Sequence, residues 1–227
     1  MEKLERIESA ITYYVLCNKL KDIIRTGWEN WNVKRERLES IAEHVYSVQQ
    51  LAIAMWCQFN SDYHDINLIK VLFMLAVHEL EEIFIGDIAV FDLSVNPSEK
   101  RQMGKNAVAN ILKDILSKEM IIDIINEFEE RETDEAKFAF ACDKLECDLQ
   151  CKLYAEENCV DITKQEANPM FNQERVQKLL KETGSWEGFW LTFGQRNHNY
   201  DENFMAVSTY ALNNKIHIKR TIGINHE

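Results

Sequence analysis

The sequence predicts an all-α fold, and three observations carry that expectation. Seven glycines and two prolines in 227 residues are about a third of the usual share, so turns are few and helices long. Apolar residues recur at helical spacing through most of the chain. No strong run alternates with period two, the mark of a half-buried strand. At 46% hydrophobic and 28% charged residues the composition is that of a globular protein, and a chain of this length buries a sizeable core without staples.

The first helix is expected from about Glu5 to Ile24, with Ile7, Ile11, Tyr14 and Val15 on one side. Arg25-Thr26-Gly27 ends it, the glycine fitting a C-cap. An aromatic and basic loop follows, holding Trp28, Trp31, Lys34, Arg35 and Arg37. The second helix starts near Ser40 and carries the stripe Ile41, Val45, Val48, Ala52, Met55. The third, from about Asn67 to Glu82, is apolar nearly all round and therefore central, and Gly86-Asp87 marks its end. A polar stretch around Pro97 opens a fourth helix through about Leu116. Two more are expected at roughly Met120 to Glu130 and Asp134 to Tyr154. Residues 158–172 hold turn formers and Pro169; short helices follow near 173–182 and 203–214, with Trp186, Phe189, Trp190 and Phe193 between them. No internal repeat or linker interrupts the chain. The expected division is a main helical domain over residues 1–157 and a C-terminal helical extension over 158–227, packed on the same core.

Net charge excludes one class of partner. Twenty-six basic against 38 acidic residues leave −12, which repels a phosphate backbone, so nucleic acid is not expected. A small anion is still an acceptable ligand if local cations hold it. The longest apolar run, Val71 to Val77, is far short of a membrane span, so no membrane partner is expected. The opening MEKLERIESA lacks the regions of a signal peptide. Six cysteines without a CxxC pair read as reduced thiols, hence a cytoplasmic protein. Cys147 and Cys151 are one helical turn apart, but no second pair completes a metal site.

Three features carry chemistry. Glu43-His44 lies inside the second helix, with His44 on the side of Ile41, Val48, Leu51 and Met55; such a histidine is either a hydrogen-bonded core residue or a ligand. His78-Glu79-Leu80-Glu81-Glu82 closes the most buried helix. Adjacent His and Glu diverge by about 100° on a helix, so both reach a metal lying between them. Glu82 is one turn further along the same side, in reach of water, whereas Glu81 reads as a solvated helix end. Asp143, in Ala-Cys-Asp-Lys-Leu-Glu-Cys, faces Ala139, Phe140, Glu146 and Cys147. Taken alone it fits an ion pair with a Lys or Arg. Two histidines and two carboxylates on three helices suit one divalent ion with open positions for water, and such an ion acidifies water near neutral pH.

These blocks resemble the H…HD…D pattern of the HD-domain metal-dependent phosphohydrolases. Arg25-Thr26-Gly27-Trp28, Glu39-Ser40-Ile41-Ala42-Glu43-His44, His78-Glu79-x-x-Glu82-x-x-x-Gly86-Asp87 and Asp143-Lys144-Leu145-Glu146 occur in the order seen in the branch of the bacterial 5′-deoxynucleotidases and their eukaryotic relatives. The resemblance covers about residues 10–155, and its doublet is His-Glu where the family has His-Asp. It implies an HD-domain helical bundle and a divalent metal (Mn, Co, Fe, Zn or Mg) held by His44, His78, Glu79 and Asp143. It implies Glu82 and Asp87 as catalytic acidic residues, Glu82 acting on the attacking water or the leaving oxygen and Asp87 on the sugar or the site. Arg25 and Arg37 would meet the phosphate and Trp28 the base; Trp28 as a core plug, Arg37 paired to Glu39 or Glu43, and Lys144 on the surface are the alternatives. The implied activity is release of phosphate from a nucleoside 5′-monophosphate or similar small ester. The competing readings are a metal- or nucleotide-binding regulator on the HD scaffold with weak turnover, and an HD enzyme acting on other nucleotides. Relatives often form dimers, and an aromatic-rich last third suits an interface, so a homodimer is within expectation.

Overall fold

A computed structural model describes residues 2–88 and 96–217. Among them helices and turns account for the regular structure, with one isolated bridge and no strand. Helix α1 (Lys3–Asn18) opens on a capping box between Glu2 and Glu5. It stops short of the expected Ile24 and passes through a 3-10 turn, Lys19–Lys21. Ile24 then bridges antiparallel to Ser40. The Arg25 amide donates to the Glu39 carbonyl at 3.1 Å, and the Ile41 amide to the Ile23 carbonyl at 2.8 Å. Gly27 does not cap α1. It lies inside a new short helix, α2 (Thr26–Asn30), because the distant Asp87 carboxylate accepts the Thr26 amide at 2.7 Å and the Thr26 hydroxyl donates to the Asp87 carbonyl at 2.7 Å.

Helix α3 (Ile41–Gln58) begins where its capping box, Ser40 with Glu43, places it. After α4 (Asn60–Tyr63), α5 (Leu68–Val77) starts at Asn67, whose side chain accepts the Lys70 amide. The expected helix from Asn67 to Glu82 breaks after Val77. Bonds from the Leu80, Glu82 and Ile83 amides to carbonyls three residues back replace the α-helical ladder, and α6 (Glu82–Ile85) follows. Gly86 ends it at a φ of 72°, the left-handed region glycine tolerates.

Helices α7 (Pro97–Ile111) and α8 (Lys118–Glu130) lead to the long α9 (Asp134–Glu156), started by the Thr133 side chain accepting the Ala136 amide. Beyond it lie α10 (Glu174–Thr183), α11 (Trp186–Asn197) and α12 (Glu202–Asn213). Helix α11 was not expected, because its two glycines and many aromatics are weak helix formers; packing of those aromatics and the Ser185 cap on the Gly188 amide override propensity.

Three apolar clusters hold the bundle. One joins α3, α5, α9 and α12 through residues such as Val48, Met74, Leu145 and Phe204. A second joins α2, the end of α9, α10 and α11 through Trp28, Trp31, Tyr154, Val176, Trp186 and Phe189. The third gathers Leu20, Ile41, Val77, Leu80, Ile83 and Leu112. The 23 residues of α9, about 34 Å of helix, contribute to the first two. The last helices are pinned to α9 by the buried Asp148, which accepts the Tyr200 hydroxyl at 3.0 Å.

A Cβ on Gly194 of α11 would collide with that Asp148 carboxylate. We expect Gly194→Ala to destabilise the fold by about 1–3 kcal/mol through overpacking. Urea denaturation reads it as a lower midpoint at unchanged slope; an unchanged midpoint would refute this close approach.

Candidate metal centre

His44 on α3, His78 and Glu79 in the turn after α5, and Asp143 on α9 converge where the three clusters meet, each offering one atom within 4.8 Å of the others. His44, His78 and Asp143 are buried, whereas the Glu79 side chain keeps 14% of its exposure and forms the outer edge. Asp143 Oδ1 is 3.1 Å from His44 Nε2 and 3.9 Å from His78 Nε2. Glu79 Oε1 is 3.6 and 3.5 Å from the same two nitrogens. Donors about 2.1 Å from a common ion stand roughly 3.0–3.4 Å apart, so the group is close to ligating dimensions. The extra methylene of Glu79 does not take its carboxylate out of the cluster.

Hydrogen bonding decides which ring nitrogen of each histidine is free to face the cluster. His78 Nδ1 faces the Leu75 carbonyl at 2.8 Å, an acceptor only, so it carries the hydrogen. Nε2 is left as a buried lone pair without a hydrogen-bond partner. An orphan of that kind costs about 1–3 kcal/mol, and a cation among the four groups removes the cost. His44 Nδ1 faces Glu146 Oε2 at 2.7 Å. Burial first, then the Arg25 charge, push the His44 imidazole down to about 3, so the ring is neutral. Nδ1–H donated to Glu146 leaves Nε2 and Asp143 Oδ1 as two acceptors in contact, which again calls for a cation.

A second layer holds these four side chains in place. Glu146 and Glu39 lie close together behind His44, and Glu39 accepts the Trp28 indole N–H at 2.7 Å. Burial pushes both carboxyls up, Glu146 further because Glu39 is beside it. Lys144 Nζ reaches Asp143 Oδ2 at 2.8 Å. Burial would raise the Asp143 carboxyl, but the Lys144 charge outweighs it and holds it well below the usual range. Arg25 Nη1 lies 3.4 Å from Glu79 Oε1 and Nη2 lies 3.8 Å from Cys147 Sγ. Burial, then the Glu79 and Asp87 charges, push the Glu82 carboxyl up to about 10, and its Oε2 is a second buried atom without a partner.

Several expected assignments change. Trp28 is 1% exposed and wedged among Tyr154, Trp186 and Trp190; no ring face is open to a base, so it is a core plug. Arg37 is an exposed side chain paired with Glu43 at 2.7 Å, and no contact joins it to the cluster among the described residues. Glu81 is not a solvated end: it packs over Gly104, and burial and Glu79 push its carboxyl up to about 7. Lys144 is no simple surface residue, since it grips Asp143. Sequence reading passed over Glu39 and Glu146 as well. The one signal available was spacing: Glu146 is three residues after Asp143, on the same face of α9.

A profile of the HD domain family matches residues 17–187, past residue 155 where the resemblance was expected to stop. A Dictyostelium discoideum protein named 5′-deoxynucleotidase HDDC2 is 32% identical over 152 residues, spanning 65% of this chain and 78% of the relative. The Schizosaccharomyces pombe 5′-deoxynucleotidase hdd1 is 32% identical over 144 residues, 61% of this chain and 68% of the relative. Among solved structures, the Pyrococcus horikoshii PH0347 protein superposes with a TM-score of 0.65 at 20% identity, over 89% of this chain and 98% of that one. A predicted metal-dependent phosphohydrolase from Magnetospirillum magnetotacticum gives 0.59 at 20% identity, over 92% and 94%. At that identity the structural likenesses speak to the fold.

Glu82 allows a test of site electrostatics on metal-stripped protein. Its carboxyl holds a proton up to about pH 10 in the folded chain and releases it near 4.3 when unfolded. Between those values the unfolded state binds fewer protons, so folding stability falls as pH rises. We expect Glu82→Gln to flatten that fall between pH 6 and 8, read from urea midpoints; equal slopes would contradict the burial of this carboxyl.

Proposed function

The chain belongs to the HD domain family, and from that premise we propose that it is a metal-dependent phosphohydrolase that releases phosphate from a nucleoside 5′-monophosphate or a closely similar ester. The observation that carries the reading is the orphaned, buried Nε2 of His78 facing two carboxylate oxygens, in a chain whose relatives bear the name 5′-deoxynucleotidase. His44, His78, Glu79 and Asp143 are the ligands we assign. Two imidazoles favour Mn²⁺, Co²⁺, Fe²⁺ or Zn²⁺ over Mg²⁺. When bound, the divalent ion supplies positive charge for the phosphoryl group and acidifies water beside it.

The remaining work falls to the protein's own side chains. Arg25 and Lys144 flank the ligands on opposite carboxylates, Glu79 and Asp143, and both stay partly open to solvent. In a chain of net charge −12 they are the local cations that hold a dianionic phosphate, Arg25 with a planar fork. Asp87 caps α2 through Thr26, which keeps Arg25, the residue before that helix, at the site. Glu82 keeps its proton in the buried pocket, and a nearby cation draws its pKa back toward the working range. It is therefore our candidate to protonate the leaving 5′ oxygen or to orient the attacking water. Six thiols without a disulfide fit a reducing compartment such as the cytoplasm.

The deciding experiment measures phosphate release from a panel of ribo- and deoxynucleoside 5′-monophosphates, using metal-stripped protein resupplied with Mn²⁺, Co²⁺ or Mg²⁺. We expect release to require metal, and His78→Ala to lower it by more than about 100-fold with its helical circular dichroism retained. Lys144→Ala and Arg25→Ala should raise KM for the nucleotide. Near wild-type release by His78→Ala would overturn the site. Metal binding without release from any nucleotide tested would favour the regulatory reading, with Glu79 in the place of Asp its first cause.

A further inference from the structure

Trp28 is closed inside the core, so a nucleotide held at the metal centre needs another surface for its base. Helix α9 supplies one. Phe140 precedes Asp143 and Lys144 by three and four residues. It therefore stands on the same face of α9, one turn or about 5.4 Å away. Its half-buried ring packs on Phe128 at 6.3 Å between centroids, and Phe128 packs on His78 at 5.2 Å. The ring is thus braced against the metal centre. The Arg131 guanidinium, at the end of α8, lies over this ring 4.5 Å from its centre, and Lys144 Nζ lies 5.1 Å from the same centre. Arg131 is exposed, and no carboxylate pairs with it among the described residues. With its inner side on Phe140, it turns its outer side to solvent. His198, just past α11, stands beside this pair. Its ring meets Phe140 at 6.3 Å and 82°, and it rests on Phe193 at 5.7 Å and on Tyr200 at 5.9 Å. No hydrogen bond holds its ring nitrogens among the described residues. Burial first, then the Lys144 charge, push the imidazole down to about 4. At neutral pH it is an uncharged ring with one donor and one acceptor.

We propose that Arg131 on Phe140, with His198 beside it, is the subsite for the nucleobase of the substrate, the base stacking on the outer side of Arg131 and its polar edge meeting His198. The inference rests on the nucleotidase reading of the metal centre. Three properties favour a base over a second anion. A guanidinium laid on an aromatic ring presents a planar surface on which bases stack. The imidazole next to it offers hydrogen bonds without charge, and Lys144, the nearest further cation, is already engaged by Asp143. Spacing agrees as well: one helical turn separates Phe140 from Asp143, and one pentose separates a 5′-phosphate from its base. Stacking of this kind accepts every base, the two fused rings of a purine more strongly than a pyrimidine.

The test compares 2′-deoxyadenosine 5′-monophosphate with 2-deoxyribose 5-phosphate, the same ester without a base, on the Mn²⁺-loaded full chain. The wild type should favour the nucleotide in kcat/KM by at least about 30-fold, chiefly through KM, and Arg131→Ala should lower that ratio by about 10-fold. Arg131→Lys keeps the charge without the plane and should not restore it. His198→Phe keeps the ring without its polar edge and should lower the ratio by about two- to tenfold; an unchanged ratio there overturns the His198 contact. An unchanged ratio in Arg131→Ala overturns the subsite. So does a loss shared equally by both esters, which would make Arg131 a phosphate contact, or full recovery in Arg131→Lys, which would make it a simple charge contact. If the wild type releases phosphate from neither ester, the nucleotidase reading falls, and calorimetric binding of the same two ligands decides the subsite by itself. Tighter binding of the nucleotide that is lost in Arg131→Ala supports it, and equal affinities overturn it.

Discussion

Four acceptor groups held together inside an apolar core are the constraint on which the rest of this structure depends. His44, His78, Glu79 and Asp143 come from α3, from the turn after α5 and from α9, so the three helices cannot shift past one another without breaking the group. Left without a cation, the arrangement is unfavourable: two lone pairs and two carboxylates face each other where water is largely excluded. The protein tolerates it because three of the four groups are fixed from behind. Leu75 takes the Nδ1 hydrogen of His78, Glu146 that of His44, and Lys144 the second oxygen of Asp143. Helix α5 breaks after Val77, and the turn that follows carries His78 and Glu79.

The same constraint accounts for the burial of charge around the site. Glu39, Glu146 and Glu82 are all shielded from solvent, and burial is the leading cause that lifts each of their carboxyls. A chain with an excess of acidic residues thus holds several carboxyls in its interior with their pKa pushed up by burial, while Arg25 and Lys144 stand at the rim, each beside a carboxylate. Two cationic side chains thus stand at the edge of the cluster, and carboxyls raised by burial lie behind it.

The last helices belong to the same packing problem. Trp28, in the short helix α2 that follows Arg25, is enclosed by Tyr154 of α9 and by Trp186 and Trp190 of α11. Its indole N–H is fixed by Glu39, next to the carboxyl that supports His44. The aromatic residues of α11 therefore steady His44 through Trp28, Glu39 and Glu146, and Asp148 with Tyr200 ties that helix unit to α9. The family match running on to residue 187 takes in the start of α11.

Local rules made much of this legible in the sequence. The capping residues Ser40, Asn67 and Thr133 each accept from the first turn of a helix that begins beside them, and the four ligand candidates were singled out by residue type and helical spacing. Those signals act over three or four residues, and a sequence displays them directly. What tertiary structure decided acts across a hundred: Asp87 starting α2 at Thr26, Glu79 staying within reach despite its extra methylene, Lys144 gripping Asp143, and Trp28 closing the core instead of the pocket. Each depends on which groups lie opposite when the helices pack, and neither the period of a helix nor the composition of a segment encodes that partner.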